Sequence, residues 1–345
     1  MLERSATPSA IVRYLDQYVI GQEAAKRIVA VAVYMHYRKI ARARQEHVPI
    51  AKSNVLLIGP SGTGKTLLCD TLARGLGLPF VTAEATSLAQ TRFVNEEIEA
   101  VLQRLLDRAG GDLGRAQRGI IFIDEIDKLR PAEGGPRGGS GEGVQHALLK
   151  IMEGAQVKVG SGYVDTTDIL FICGGAFVGL DEIIASQTHG YGFIATSTGE
   201  NQRILDRLNT RVKPTDLFTY GLIPEFTGRL PIIARFGELS RELLVRILTE
   251  PRNSIHRQFV EILAQQDVRL EIAPRVFEQI AELAIEYKTG ARSLRGIFEE
   301  LLTPILYVVP DDPSIRKVRI ASLFSNPVFE RGAPGAGAPA TPPAP

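Results

Sequence analysis

A glycine-rich segment, Gly59-Pro60-Ser61-Gly62-Thr63-Gly64-Lys65-Thr66, has the residue types and the spacing that bind a polyphosphate. It follows the apolar run Val55–Ile58 and precedes a stretch with helical spacing that begins at Leu67. A phosphate loop requires this order, because backbone N–H groups and the positive end of the helix dipole then face the phosphates. Lys65 would contact the β- and γ-phosphates, and the Thr66 hydroxyl would bind Mg²⁺. The segment, including Leu67, therefore predicts nucleotide binding.

Two carboxylates follow a second apolar run and could perform hydrolysis. The run 119–123 is continuous, as in a strand buried on both faces of a parallel sheet, and it leads into Asp124 and Glu125. Asp124 would hold Mg²⁺ directly or through water, and Glu125 would orient and deprotonate the water that attacks the γ-phosphate. An acidic pair after an apolar strand is a weak signal alone. Behind a phosphate loop, with room for an intervening strand and helix, it predicts hydrolysis of the bound nucleotide.

The elements that would position these groups alternate along the chain. Apolar runs typical of strands occur at 55–58, 79–82, 119–123 and 168–175, with helical patterns between them. This order predicts an α/β fold, a doubly wound parallel sheet with its ligand at the carboxyl ends of the strands. A long helix is predicted from about Glu23 to Arg44. Its expected buried face carries four apolar residues, Ala24, Ile28, Val31 and Met35.

The domain organisation follows from where the pattern changes. We expect a disordered leader over 1–10 and a large nucleotide-binding domain over 11–235. Helical periodicity dominates 240–308, so a smaller, mainly helical domain is expected over 236–325. The Gly/Ala/Pro-rich segment 326–345 has few side chains to bury and is predicted to be disordered.

Composition excludes several functional classes. The chain has 345 residues with Lys+Arg 40 against Asp+Glu 39, and this balance gives no electrostatic footprint for nucleic acid or an anionic membrane as principal partner. Its apolar runs are too short to cross a bilayer, so a cytoplasmic location is the default expectation. Cys69 and Cys173 have no Cys-x-x-Cys spacing, which favours buried inert thiols and no zinc site.

Two other segments carry apolar side chains that could bind a partner. Val19 and Ile20 could cover an adenine ring, because nucleobase pockets use flat apolar contacts. Tyr191 and Phe193, with Gly192 between them, lie in a glycine-rich polar stretch. These two aromatic side chains either fold back on the domain or anchor another protein.

On these residues the chain resembles the ClpX branch of the AAA+ ATPases, over roughly residues 8–322. The matching strings occur in the family's order, at 15–22, 59–66, 123–128, 140–145, 171–177, 221–226 and 289–292. The resemblance implies a homo-hexameric ring that hydrolyses ATP with Mg²⁺ and pulls unfolded or tagged proteins through a central pore. It also implies a ClpP-type peptidase as the partner that receives them.

The resemblance implies roles for two arginines. By position, Arg229 would be the arginine finger that reaches a neighbour's γ-phosphate, and Arg292 would contact the nucleotide from the small domain. A planar, permanently charged guanidinium suits the charge that develops in phosphoryl transfer. The alternative for each arginine is a surface salt bridge.

The sequence departs from the family in three segments. Where the family's pore loop reads Gly-Tyr-Val-Gly, this chain has Arg92-Phe93-Val94-Asn95. It keeps an aromatic and an aliphatic side chain that could hold a substrate, but it adds a positively charged side chain. Where the family's peptidase-docking loop reads Ile-Gly-Phe, this chain has Tyr191-Gly192-Phe193. The family's zinc-binding domain has no counterpart, and residues 157–164 replace its basic pore-entrance loop. The family's adaptors and tag recognition are therefore not expected.

These observations predict an ATP-driven protein unfoldase, and three alternatives stay open. A ring chaperone that remodels complexes without a peptidase would share the ATPase residues. A nucleotide-dependent switch is disfavoured by the intact pair Asp124 and Glu125, and a nucleic-acid motor by the net charge of +1.

Overall fold

The structure, a computed structural model, describes residues 6–46, 52–90, 94–130, 140–160, 162–188 and 211–332. The chain divides into two units. The first unit comprises Met1–Asp16 and Gln22–Gly237, and the second comprises Gln17–Gly21 and Glu238–Pro345.

The division lies after Gly237 rather than after residue 235, and it differs from the predicted one at Gln17–Gly21. This segment belongs with the second unit, whereas the prediction placed it in the large domain. The physical reason is local contact. The backbone N–H of Arg252 donates to the Gln17 carbonyl at 2.9 Å, and a Cβ at Gly21 would lie 3.3 Å from Leu243.

A five-stranded parallel sheet forms the centre of the first unit, in the order β2-β3-β6-β1-β7. This confirms the predicted parallel sheet, and it adds β7, which the sequence patterns did not reveal. The strands are β1 (Val55–Ile58), β2 (Phe80–Glu84), β3 (Ile120–Asp124), β6 (Leu170–Gly175) and β7 (Ile232–Arg235); a separate antiparallel hairpin consists of β4 (Gln156–Val159) and β5 (Gly162–Asp165).

The strand register brings the carboxyl ends of the central strands together. Ile58 pairs with Gly175, and Glu84 pairs with Asp124. All side chains of β1 and β6 are buried, as expected for strands covered on both faces. The groups that follow these strands therefore lie at one edge of the sheet.

Helices of the first unit flank this sheet in the described ranges. They are α1 (Pro8–Leu15), α2 (Glu23–Glu46), α3 (Lys65–Leu76), α4 (Ala85–Gln90), α5 (Val94–Arg108), α6 (Leu113–Ala116), α7 (Ser140–Glu153), α8 (Leu180–Thr188), α9 (Pro214–Tyr220) and α10 (Pro224–Gly228); a short 3₁₀ helix covers Ile126–Leu129.

The predicted buried face of α2 was wrong. Val31 and Met35 are nearly half exposed, and Ala24 is exposed, whereas the small residues Ala25 and Ala32 are buried. Helix α2 carries apolar side chains on more than one side, and it packs against α1 and β7. Small side chains let these elements approach closely, so packing selected that face.

Two segments near the chain ends, within the described residues, form regular structure that the sequence analysis did not predict. Helix α1 begins at Pro8, inside the predicted leader, because the Thr7 hydroxyl accepts a hydrogen bond from the Ala10 N–H at 3.3 Å and caps it. Strand β10 (Val328–Arg331) lies inside the predicted disordered tail. It pairs antiparallel with β9 (Ile315–Ile320), which supplies the hydrogen bonds that an isolated segment lacks.

The second unit is helical with a small sheet that the sequence analysis did not anticipate. Its helices are α11 (Arg241–Thr249), α12 (Ile255–Ala264), α13 (Pro274–Glu286) and α14 (Arg292–Val308), with a 3₁₀ helix at Val309–Asp311. The three-stranded sheet has the order β10-β9-β8, where β8 is Arg269–Ile272. Phe277 and Phe298 stack in the core between these elements.

None of the helices in the part of the chain that the structure describes combines the length and the apolar character of a membrane span.

Candidate active site

The phosphate loop connects the carboxyl end of β1 to the first turn of α3, as predicted. Gly62 and Gly64 have φ values of 76° and 95°, which favour glycine. Gly59 is needed for a different reason, because a Cβ there would lie 2.4 Å from the carbonyl oxygen of Phe236. The loop therefore holds its curled shape at the N-terminus of α3, where N–H groups and the helix dipole favour an anion.

Lys65 lies inside this curl. Its Nζ donates to the carbonyl of Gly59 at 2.6 Å and to that of Pro60 at 3.0 Å, and its side chain is buried. The Thr63 hydroxyl donates to the Pro60 carbonyl at 2.8 Å and closes the same turn. The loop thus places a single ammonium at its centre, and a polyphosphate with several negative oxygens is the ligand that this arrangement suits.

Thr66 and Asp124 are brought together by α3 and β3. The Thr66 hydroxyl donates to Oδ2 of Asp124 at 3.4 Å. Two oxygen atoms, which are hard metal ligands, therefore lie side by side next to the loop. Mg²⁺ prefers such oxygen ligands and keeps several waters. These two residues fit the predicted Mg²⁺ site.

Glu125 projects beside Asp124 and is exposed. Its N–H donates to Oδ1 of Asp124 at 2.9 Å, and its φ of 59° is in the left-handed region. This backbone conformation is uncommon for a residue with a side chain and often marks functional positions. It turns the Glu125 carboxylate out of the strand direction, where water can reach it.

Thr86 contacts the same carboxylate, and the sequence analysis missed it. The Thr86 hydroxyl donates to Oε2 of Glu125 at 3.2 Å. Thr86 lies in α4, which begins immediately after β2, and the pairing of Glu84 with Asp124 aligns the two strand ends. The signal was a hydroxyl just after a strand, but only the register between β2 and β3 shows what it contacts.

Asp127 connects the ends of β3 and β6. This buried carboxylate accepts a hydrogen bond from the Phe177 N–H at 3.3 Å. A Cβ at Gly175 would lie 2.5 Å from Oδ1 of Asp127, and a Cβ at Gly174 would lie 2.6 Å from the Phe122 ring. Gly175 therefore leaves space for the Asp127 carboxylate in the turn after β3, and Gly174 leaves space for the Phe122 ring in β3 itself.

The two cysteines are free and buried. Burial raises the pKa of Cys69, and the nearby carboxylates of Asp124 and Asp70 raise it further. Burial raises the pKa of Cys173 to about 12. Both side chains stay thiols at neutral pH and are poor nucleophiles and metal ligands in that form.

The other predicted site residues occupy separate places. Arg229 follows α10, and its guanidinium is 2.5 Å from Oε1 of Glu153, with both side chains about half exposed. Arg292 begins α14 in the second unit, and Val19 and Ile20 belong to the second unit's segment Gln17–Gly21. Val94 and Asn95 begin α5. The remaining predicted residues lie outside the described ranges: Arg92, Phe93, Tyr191, Gly192 and Phe193.

Two family models match the chain in consecutive ranges. The AAA domain (Cdc48 subfamily) model matches residues 50–233. The model of the C-terminal, D2-small domain of ClpB protein matches residues 239–317. The first match contains the phosphate loop with Asp124 and Glu125, and the second covers most of the described part of the second unit.

Several curated proteins are similar over most of the chain, and each is an ATP-dependent Clp protease ATP-binding subunit. ClpX from Azotobacter vinelandii is 45% identical over 334 residues, which cover 90% of this chain and 76% of that protein. ClpX from Treponema denticola is 46% identical over 321 residues, which cover 88% and 77%. ClpX 3 from Methylococcus capsulatus is 43% identical over 339 residues, which cover 90% and 78%.

Proposed function

The chain belongs to the ClpX family of AAA+ ATPases, and we propose how its own residues perform ATP-dependent protein unfolding for a ClpP-type peptidase. The observation that carries the proposal is the group formed by Lys65, Thr66, Asp124 and Glu125. In this group the phosphate loop, a pair of Mg²⁺-suited oxygens and an exposed carboxylate lie at one edge of the sheet.

Hydrolysis follows from the positions of these groups. The N–H groups of the loop and the Lys65 ammonium would bind the β- and γ-phosphates, at a helix N-terminus that favours negative charge. Mg²⁺ held by Thr66 and Asp124 would neutralise charge on the phosphate oxygens. Glu125 would orient a water and accept its proton. Thr86 holds one carboxylate oxygen of Glu125 at 3.2 Å, which leaves the other oxygen for that water.

A homo-hexameric ring would complete the site. We place Arg229 in a neighbour's site, where it would exchange Glu153 for the γ-phosphate of the adjacent subunit. Its exposed guanidinium and a half-exposed partner support this, because a surface ion pair costs little to break. We also propose Arg292 and the apolar pair Val19 and Ile20 as nucleotide contacts.

ATP hydrolysis would drive a movement of the ring that pulls a protein through the central pore. We assign the grip to the segment Arg92-Phe93-Val94-Asn95, whose last two residues begin α5. We assign docking of the peptidase to Tyr191-Gly192-Phe193. The names of the similar proteins, which are ATP-binding subunits of a Clp protease, support a peptidase partner.

The central test is the ATPase rate of a Glu125→Gln variant. We expect turnover to fall about 10²- to 10⁴-fold, which is the size of a general-base contribution, while ATP binding persists. Glu261→Gln, an exposed carboxylate on α12 of the second unit, is the matched control and should hydrolyse ATP at the wild-type rate. A Glu125→Gln variant that turns over as fast as the control would contradict the assignment.

A second test separates the protease subunit from a peptidase-independent chaperone. Deletion of residues 191–193 should abolish ATP-dependent degradation of a folded protein by an added ClpP-type peptidase, and it should leave ATP turnover unchanged. Unimpaired degradation by the deletion variant would remove the docking assignment. Unfolding by the wild-type protein without any degradation would favour the remodelling chaperone.

A further inference from the structure

The short helix α10 leads directly to Arg229, and buried amide side chains hold the backbone at both of its ends. The helix begins after Ile223 and ends before Arg229. We propose that Gln145 and Asn54 are positioning residues for Arg229, because they fix the start and the end of the segment 223–229 that carries it. The inference rests on the proposed function, in which Arg229 assists hydrolysis, and it assigns roles to two residues that act through this arginine.

Gln145 holds the start of this segment. It lies in α7 and is only 1% exposed. Its Oε1 accepts from the Ile223 N–H at 2.8 Å, and its Nε2 donates to the Leu129 carbonyl at 3.2 Å. Leu129 ends the 3₁₀ helix that follows Asp124 and Glu125. One amide therefore bonds both the entry to α10 and the turn after the two carboxylates.

Asn54 holds the end of the segment. It directly precedes β1, the strand that leads into the phosphate loop, and it is 1% exposed. Its Nδ2 donates to the Arg229 carbonyl at 3.2 Å and, at the longer distance of 3.5 Å, to the Met152 carbonyl. Its Oδ1 has no hydrogen-bond partner in the part of the chain that the structure describes. An unpartnered buried oxygen is costly, which indicates a role for Nδ2 that an apolar side chain could not perform.

The Arg229 side chain is held less firmly than its backbone. Its guanidinium is 51% exposed, and its ion-pair partner Glu153 is 42% exposed, so water competes for this contact. Glu153 ends α7, the helix that also carries Gln145. The backbone is therefore fixed while the guanidinium can exchange partners. An arginine that must reach a phosphate needs both properties, because a small misplacement of a catalytic group costs much of the rate.

Removal of either amide should let the segment 223–229 shift against β1 and α7. Arg229 would then occupy its productive position less often, and turnover should fall. The phosphate loop, residues 59–66, is not part of this segment, so ATP binding should persist. If the two amides act through Arg229, their removal should matter only while Arg229 is present.

The test is a double-mutant cycle on ATP turnover, measured with the full chain, Mg²⁺ and radiolabelled ATP. Arg229→Ala should lower turnover about 10³-fold, at the low end of what an arginine finger contributes. Gln145→Met and Asn54→Ala remove the amide hydrogen bonds, and each should lower turnover about tenfold and change the KM of ATP by less than about twofold. In the Arg229→Ala background each should change turnover by less than about twofold.

Gln279→Met is the matched control. It removes an amide of the same kind from α13 of the second unit, where Oε1 accepts from the Leu323 N–H at 2.9 Å. It should leave turnover unchanged in both backgrounds. Thermal unfolding identifies a fold defect, which would lower turnover by the same factor with and without Arg229. If Gln145→Met does not fold, Asn54→Ala carries the test.

An equal loss of turnover in both backgrounds, or no loss while Arg229 is present, would overturn the positioning role. A raised KM of ATP with unchanged turnover would overturn it as well. The proposed function fails in a different way. An Arg229→Ala protein that turns over at the wild-type rate would contradict the role assigned to Arg229, and the positioning role would fall with it. A slow Arg229→Ala protein combined with equal losses would remove the positioning role alone.

Discussion

Two pairs of ionisable side chains lie at opposite ends of the parallel sheet in the first unit and differ in their surroundings. At the carboxyl end, Asp124 is partly exposed and Glu125 is exposed, and both are hydrogen-bonded to nearby groups. At the amino end, His36 donates from Nε2 to the Asp168 carbonyl at 3.0 Å, and the Tyr37 hydroxyl donates to the Arg118 carbonyl at 2.9 Å.

Burial has a clear electrostatic consequence at the amino end. It lowers the pKa of His36 to about 4, and the charges of Lys52 and Lys39 lower it further, against the hydrogen bond to the Asp168 carbonyl. Burial also raises the pKa of Tyr37. Both side chains therefore stay neutral at pH 7.

This difference indicates a division of labour along the strands. Asp124 and Glu125 at the carboxyl end are accessible to a charged ligand and to water, which phosphoryl transfer requires. His36 and Tyr37 at the amino end hold α2 against the starts of β3 and β6 through their hydrogen bonds. We expect changes at the carboxyl end to affect turnover and changes at the amino end to affect stability.

The largest expected effect is that of Lys65→Met on turnover. The variant lacks the ammonium at the centre of the phosphate loop, so ATP turnover should fall about 10³-fold. The loss of its hydrogen bonds to two loop carbonyls should lower the free energy of unfolding by about 1–3 kcal/mol. ATPase assays and thermal unfolding measure the two quantities. Turnover within about tenfold of wild type would contradict the expectation that changes at the carboxyl end mainly affect turnover.

The second effect is acid destabilisation through His36. The pKa of His36 is lower in the folded chain than the unfolded value of 6.5, so the unfolded chain binds more protons between pH 6.5 and 4. The free energy of unfolding should therefore fall by about 3 kcal/mol as the pH drops through this range.

A His36→Gln variant provides the control for this pH dependence. Its amide can still donate to the Asp168 carbonyl, but it does not titrate. Denaturant unfolding at several pH values should show a flatter profile for the variant than for the wild type between pH 6.5 and 4. Parallel profiles would show that His36 does not cause the loss of stability.

The third prediction concerns Gly175, which lies at the carboxyl end of the sheet. Here we expect one substitution to affect both stability and turnover. In Gly175→Ala the new methyl group meets the Asp127 carboxylate, so the free energy of unfolding should fall by about 1–3 kcal/mol. Turnover should fall as well, because Asp127 ties the turn after Asp124 to β6.

Gly143→Ala is the matched control for Gly175→Ala. Gly143 lies in α7 with open space around the position of a Cβ, so alanine should raise the stability by about 0.5–1 kcal/mol. Denaturant unfolding and ATPase assays of both variants decide the point. A Gly175→Ala protein that matches the control in both assays would show that the close packing at this edge is dispensable.

The smallest effect is that of Tyr37→Phe at the amino end. The variant removes one buried hydrogen bond to the Arg118 carbonyl and should cost about 1 kcal/mol of stability. ATP turnover should stay at the wild-type value. A change in turnover larger than the change seen with the Glu261→Gln control would show that the amino end takes part in the function.

The chemistry of the nucleotide site was readable from the sequence because its parts are contiguous. The phosphate loop is one short string, and Asp124 and Glu125 follow directly from an apolar run. Three strands of the large sheet, β1, β3 and β6, were predictable for the same reason, since a buried strand is a continuous apolar run. Strand β7 and the strands of the second unit's sheet were not predicted, because several of their side chains are exposed or only partly buried.

Only the tertiary structure decided which distant residues meet. The contact of Thr86 with Glu125 depends on the register of β2 against β3, and that of Asp127 with the Phe177 N–H depends on the turn after β3 packing onto β6. The contact of Lys26 with Asp16 requires α1 to lie against α2. Local spacing fixes what chemistry a segment can do, because phosphate loops and strands are local patterns. Register and packing fix which side chains support that chemistry, because they depend on contacts between segments far apart in the chain.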